Sequence, residues 1–133
     1  MAHAALTLDL VPGIYAVVKL PPDAETPAWA SGAPFVSVTR TNSELSIICE
    51  ERTVPPELTA ERGFRCLRVL GPLEFSEVGI LASLATPLAL AGVSIFAMST
   101  YETDYLLVRS TDLELAITAL SAKGHRIGRV SAA

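Results

Sequence analysis

The chain has 133 residues, 50% of them hydrophobic and only 18% charged, with a net charge of −4. A chain of this length buries roughly two-thirds of its unfolded surface, enough for a core without disulfides or metal, and its composition excludes a disordered, solvated tail. Residues 1–63 carry four Lys/Arg against eight Asp/Glu, and residues 64–133 six of each, so there is no basic patch to track a phosphate backbone and nucleic-acid binding is not expected.

The opening Met1-Ala2-His3-Ala4-Ala5 lacks the basic start and long apolar core of a signal peptide. Leu6–Leu10 and Ile14–Leu20 read as strands broken by Pro12-Gly13. Asp23–Ser31 has room for about two and a half helical turns, which Pro27 disturbs unless the helix begins there. Phe35–Thr41 and Leu45–Glu51 are expected to form a hairpin around Asn42-Ser43-Glu44, and Val54-Pro55-Pro56 followed by Glu57–Arg62 a linker with a short helical turn. That linker divides the chain into residues 1–62 and 63–133.

Phe64–Leu70 alternates as a strand ended by Gly71-Pro72. Val78–Ala91 is too densely apolar to show one face and reads as a largely buried helix stopped by Gly92, kinked or shortened by Pro87. Val93–Ser99 and Asp104–Arg109 are strands joined by Thr100-Tyr101-Glu102-Thr103. A second helix opens with the capping-box pattern Thr111-Asp112-Leu113-Glu114, carries the stripe Leu113, Ala116, Ile117 and Leu120, and closes at Lys123-Gly124. His125–Val130 is the last strand. The order β-α-β-β-α-β predicts an α+β fold, a split βαβ unit whose four-stranded antiparallel sheet has both helices on one face. A shift of 60 residues lays Phe35–Ile48 over Ile95–Val108, with Glu44 over Asp104, a weak internal repeat.

The stretch Val78–Tyr101 is free of charge and long enough to span a bilayer. Pro87 and Gly92 interrupt it, and its flanks are Glu74, Glu77, Glu102 and Asp104 rather than the Lys or Arg that orient a span. No membrane insertion and a cytoplasmic location are therefore expected. Cys49 and Cys66 lie in apolar strands and read as buried thiols of a reduced compartment. His3 and His125 with two scattered cysteines do not make a metal site. There is no phosphate-binding loop, nucleophile elbow or metal-protease helix, so neither an enzymatic activity nor a cofactor is expected. Two polar loops stand out. Gly71–Gly79 precedes a helix, where free amides suit a carboxylate and Gly79 permits close approach, or where Ser76 simply caps the helix and Glu77 complements its dipole. Ser99–Asp104 is either a polar hairpin turn or the facing side of a site.

These two loops carry a resemblance. Leu73–Leu84 with its core Glu77-Val78-Gly79-Ile80, Pro87-Leu88, and Gly92–Val108 with Thr100-Tyr101-Glu102-Thr103-Asp104 are similar to the ACT domain, in the variety found in cytosolic arginine sensors (CASTOR proteins) and in the regulatory tails of aspartokinases. Leu45–Glu51 resembles the last strand of an N-terminal ACT-like unit. The resemblance implies a ferredoxin-like βαββαβ architecture in two ACT-like units, a truncated one in 1–62 and an ACT domain in 63–133, with antiparallel sheets and helices on one face. It also implies a regulatory sensor module that binds an amino acid as a homodimer. The implied ligand site comprises Ser76, Glu77, Val78, Gly79 and Ile80, whose backbone groups would take the amino-acid head. Thr100, Tyr101 and Asp104 would face its ammonium or side chain. The competing expectation is an interaction or scaffolding module that keeps the fold and binds no ligand.

Overall fold

The computed structural model describes residues 5–32, 34–71 and 78–129. The elements are β1 (Thr7–Leu20), β2 (Ser37–Arg40), β3 (Leu45–Glu50), β4 (Ala60–Val69), α1 (Ile80–Leu90), β5 (Ile95–Ser99), β6 (Asp104–Arg109), α2 (Leu113–Ala122) and β7 (Arg126–Arg129). They fall into two compact units: residues up to Pro12 together with those from Arg65 onward, and Gly13–Phe64. β1 and β4 each contribute one part to either unit.

In the unit Gly13–Phe64, β3 pairs antiparallel with the second half of β1, from Tyr15↔Glu50 to Leu20↔Leu45, and with β2 on its other side. Leu45, Ile47 and Cys49 alternate onto one face and join Ala16, Val18, Ala30 and Val54 in a core. Among the described residues of this unit no α-helix covers that face. Asp23–Ser31 holds turns instead, because its prolines lead short reverse turns: Ala24 N–H donates to Pro21 O at 3.1 Å and Ala30 N–H to Pro27 O at 3.0 Å. Ala24 and Trp29 of this segment, and Val36 beyond it, pack on the core. The helical turn expected over Glu57–Arg62 is likewise absent: a 3₁₀ turn lies earlier, at Glu51–Thr53, and β4 already starts at Ala60.

In the other unit the strand order is β7, first half of β1, β4, β6, β5. Leu8 and Leu10, Leu67 and Val69, and Leu106 and Val108 point to one side, where α1 contributes Leu84 and Leu88 and α2 Leu113, Ala116 and Leu120 to a single core. Both helices thus lie on one face, as the α+β reading expects. The order β4-α1-β5-β6-α2-β7 is the β-α-β-β-α-β order, with one departure. β7 does not complete an antiparallel four-stranded sheet; it pairs parallel with β1, Thr7↔Arg126 to Leu10↔Arg129. The chain's first strand therefore stands between β4 and β7, a long-range pairing that no local pattern announces.

Local details also differ from expectation for physical reasons. β1 runs through Pro12-Gly13 as one strand, with Gly13 taking up a φ of 101°. α1 starts at Ile80 rather than Val78, capped by Gly79 at φ 85° without a side-chain cap bond. α2 is capped by Asp112, not Thr111, and has no side-chain cap bond; a 3₁₀ turn over Ser110–Asp112 leads into it instead. The two hairpins superpose in sequence with a shift of 59, not 60, because Arg40↔Leu45 and Ser99↔Asp104 close their turns. In that register Thr41 matches Thr100 and Glu44 matches Thr103. Both turns then share their chemistry: Thr41 N–H donates to Glu44 O at 2.9 Å and Thr100 N–H to Thr103 O at 2.8 Å. Each Thr hydroxyl also accepts the N–H three residues on, at 3.2 and 3.3 Å. Among the described residues no helix is long and apolar enough to cross a membrane.

Candidate functional site

Where β4 ends and the β5–β6 hairpin turns, the second unit described above has a cavity of about 130 Å³. Its polar walls are Arg68, Thr100, Glu102, Thr103 and Tyr105, and Gly71 lies at its rim. Thr103 is buried at 8% exposure and its hydroxyl donates to Val69 O at 2.6 Å, tying the turn to the end of β4. Arg68 donates through Nη2 to Asp9 Oδ2 at 2.9 Å. That hydrogen bond is the main cause that holds the guanidinium above its ordinary range, with Tyr105 adding to it.

Strand alternation sorts the side chains. Leu67, Val69, Leu106 and Val108 face the helices, so Arg68 and Tyr105 leave the opposite face of the sheet, whereas Asp104 shares the helix side. A guanidinium and the Glu102 carboxylate on one small cavity offer opposite charges to a zwitterion, and Thr100 and Tyr105 add hydroxyl groups to its lining. The volume suits the head group of an amino acid and falls short of the several hundred Å³ that enclose larger ligands.

Of the residues expected at the site, the structure brings only Thr100 into this lining. Tyr101 and Val78 are exposed at 83% and 80%, Gly79 forms the helix cap, and Ile80 is buried at the start of α1. Asp104 accepts the Ser99 hydroxyl at 2.6 Å within its own hairpin pair. Ser76 and Glu77 lie outside the described residues. Arg68 and Tyr105 were not anticipated. The available signal was an arginine in the apolar run Phe64–Leu70, at the alternate position to Leu67 and Val69. Among the described residues no three His, Cys, Asp or Glu side chains converge in a way that could hold a metal ion. Cys66 is fully buried, and burial pushes its thiol up to about 12. Burial also raises Cys49. Both are therefore held as thiols, the opposite of what a nucleophile needs.

The β-α-β-β-α-β order with both helices on one face of the sheet defines a ferredoxin-like α+β unit, and the family comparison agrees with that class. The family model of the ACT domain matches residues 59–122, and a second, describing an N-terminal domain, matches residues 13–57. The chain belongs to the ACT-domain proteins. A crystal structure of an Agobacterium tumefaciens protein is similar over nearly the whole length, with a TM-score of 0.91, 38% identity, and 97% of this chain and 96% of that one covered. The rat cytosolic arginine sensor for mTORC1 subunit 1 is 31% identical over 102 residues, 71% of this chain and 31% of that protein. This chain thus spans about a third of the length of the curated relatives it matches. The ligand-free regulatory subunit of aspartate kinase from Thermus thermophilus shares the fold, with a TM-score of 0.61 at 12% identity over 90% of this chain and 99% of that one.

Proposed function

We propose that the chain is a regulatory module that senses an amino acid and works as a homodimer, with an N-terminal ACT-like unit in residues 1–62 and the ligand-binding ACT domain in 63–133. The observation that carries this reading is the cavity with Arg68 and Glu102 on its wall, lying inside the stretch that matches the ACT domain. The similarity to a relative named as an arginine sensor supports the ligand class. In this reading Arg68 takes the ligand's carboxylate, Glu102 its ammonium, and the backbone of Val78–Ile80 with Thr100 and Asp104 completes the site toward the α1 side. The reading assigns the chain no reaction of its own. Its action is to bias a partner's state through differential binding, as a regulatory domain does.

A thermal-shift screen of the full chain against the standard amino acids tests it. A ligand at 100 times its dissociation constant adds about 2.7 kcal/mol, on the order of 10 °C in midpoint for a chain this size. Arg68→Met and Glu102→Gln should each reduce the shift. A flat response across all amino acids favours the ligand-free interaction module instead.

A further inference from the structure

His125 is a buried histidine, 6% exposed, that serves no part of the candidate site. Both of its ring nitrogens bond to backbone groups. Leu6 N–H donates to Nδ1 at 3.1 Å, and Nε2 lies 3.3 Å from Ser83 O. The second bond has a cause in the sequence. In an α-helix the carbonyl of Ser83 would accept the N–H of residue 87, and Pro87 has none. His125 supplies the missing donor, so Nε2 carries the proton. A neutral ring protonated at Nε2 has its lone pair at Nδ1, which is what the Leu6 N–H requires. Leu6 is held at its other group as well: Arg126 N–H donates to Leu6 O at 2.9 Å.

We propose that His125 is an acid-sensitive clasp fastening the start of β1 to this unit. Protonation places a hydrogen on Nδ1, facing another donor, so the Leu6 bond breaks while the Nε2 bond to Ser83 survives. The segment released leads into the half of β1 that stands between β4 and β7. α1 carries no titratable side chain. On α2 and the turns at either end the charged groups are Asp112, Glu114 and Lys123, and Arg126 and Arg129 follow on β7. Glu114, Lys123 and Arg126 are exposed, and Asp9 of β1 is paired with Arg68.

Amide hydrogen exchange of the full chain at pH 7.5 and at pH 5 tests the clasp. After correction for the intrinsic pH dependence of exchange, protection of the Leu6 amide should fall at least about tenfold in acid, reporting the lost bond. His125→Asn, whose Oδ1 can stand in for Nδ1 without titrating, should abolish that fall. Unchanged protection in the wild type, or an equal fall in the variant, overturns the proposal. Ring nitrogen-15 shifts of the wild type give a reading that does not depend on the variant folding. A ring protonated at Nε2 in neutral solution and doubly protonated in acid supports the clasp; a proton on Nδ1 at neutral pH, or a ring neutral at pH 5, refutes it.

Discussion

Cys66 sits fully buried in β4, and its thiol is moved from the ordinary 9.0 up to about 12 by burial alone. The folded chain therefore keeps a proton that the unfolded chain gives up first. The stability this contributes is complete below pH 9.0 and is lost as pH rises toward about 12. Denaturant midpoints measured across that window should fall in the wild type and fall less steeply in Cys66→Ala. Thr103 offers a second test at this scale. Its buried hydroxyl donates to Val69 O at 2.6 Å; Thr103→Val removes that bond and should cost about 1–3 kcal/mol in urea denaturation. Thr103→Ser keeps the donor and should cost less.

Among the elements, β1 shows how one residue lets a strand serve two units. Gly13 has a φ of 101°, and a Cβ built there would meet Glu50 Oε2 at 3.0 Å. Gly13→Ala combines left-handed strain with displacement of a carboxylate, so the expected cost is above about 1 kcal/mol, read by thermal unfolding. α1 shows a comparable economy of cause. Pro87 does not end the helix, which runs on to Leu90 with Ala91 N–H donating to Pro87 O at 3.1 Å. The carbonyl that Pro87 leaves without its usual partner is met by a histidine from beyond α2. The proline's cost is thus offset by a tertiary contact.

For the whole molecule, the uncharged stretch from Val78 to Tyr101 supplies α1 and the edge strand β5. It leaves Val78 and Leu90 each 80% exposed and Phe96 41% exposed. An apolar sheet edge is a surface a second copy can cover. On the proposed homodimer, light scattering should give twice 14.1 kDa at micromolar concentration. Phe96→Lys, which puts a charge on that edge, should shift the mass to the monomer without lowering the helical signal. A monomer across the whole accessible concentration range counts against dimerisation. Asp104→Ala divides the two sides of the candidate site. A ligand seated as the family resemblance implies loses about ten- to hundredfold in affinity by calorimetry. A ligand held by Arg68 and Glu102 alone is little affected.

Most of the ACT unit is legible along the chain. Its helices and hairpin are local, written in dense Ala/Leu runs, in β-branched alternation and in a threonine-led turn, and the family signature lies in the same stretch. The rest depends on partners distant in the chain. Prolines at 21 and 27 made turns where a helix had been expected, because their carbonyls closed reverse turns on a sheet face that needed covering. The parallel pairing of β7 with β1 joins residues 119 apart in sequence, and no periodicity encodes a partner at that distance. That Arg68 and Tyr105 emerge from one side of the sheet and Asp104 from the other was legible only once the alternation of β4 and β6 could be anchored to their shared core. Patterns along a chain fix what each segment can form; which face and which neighbour it takes is settled by where the rest of the apolar surface is buried.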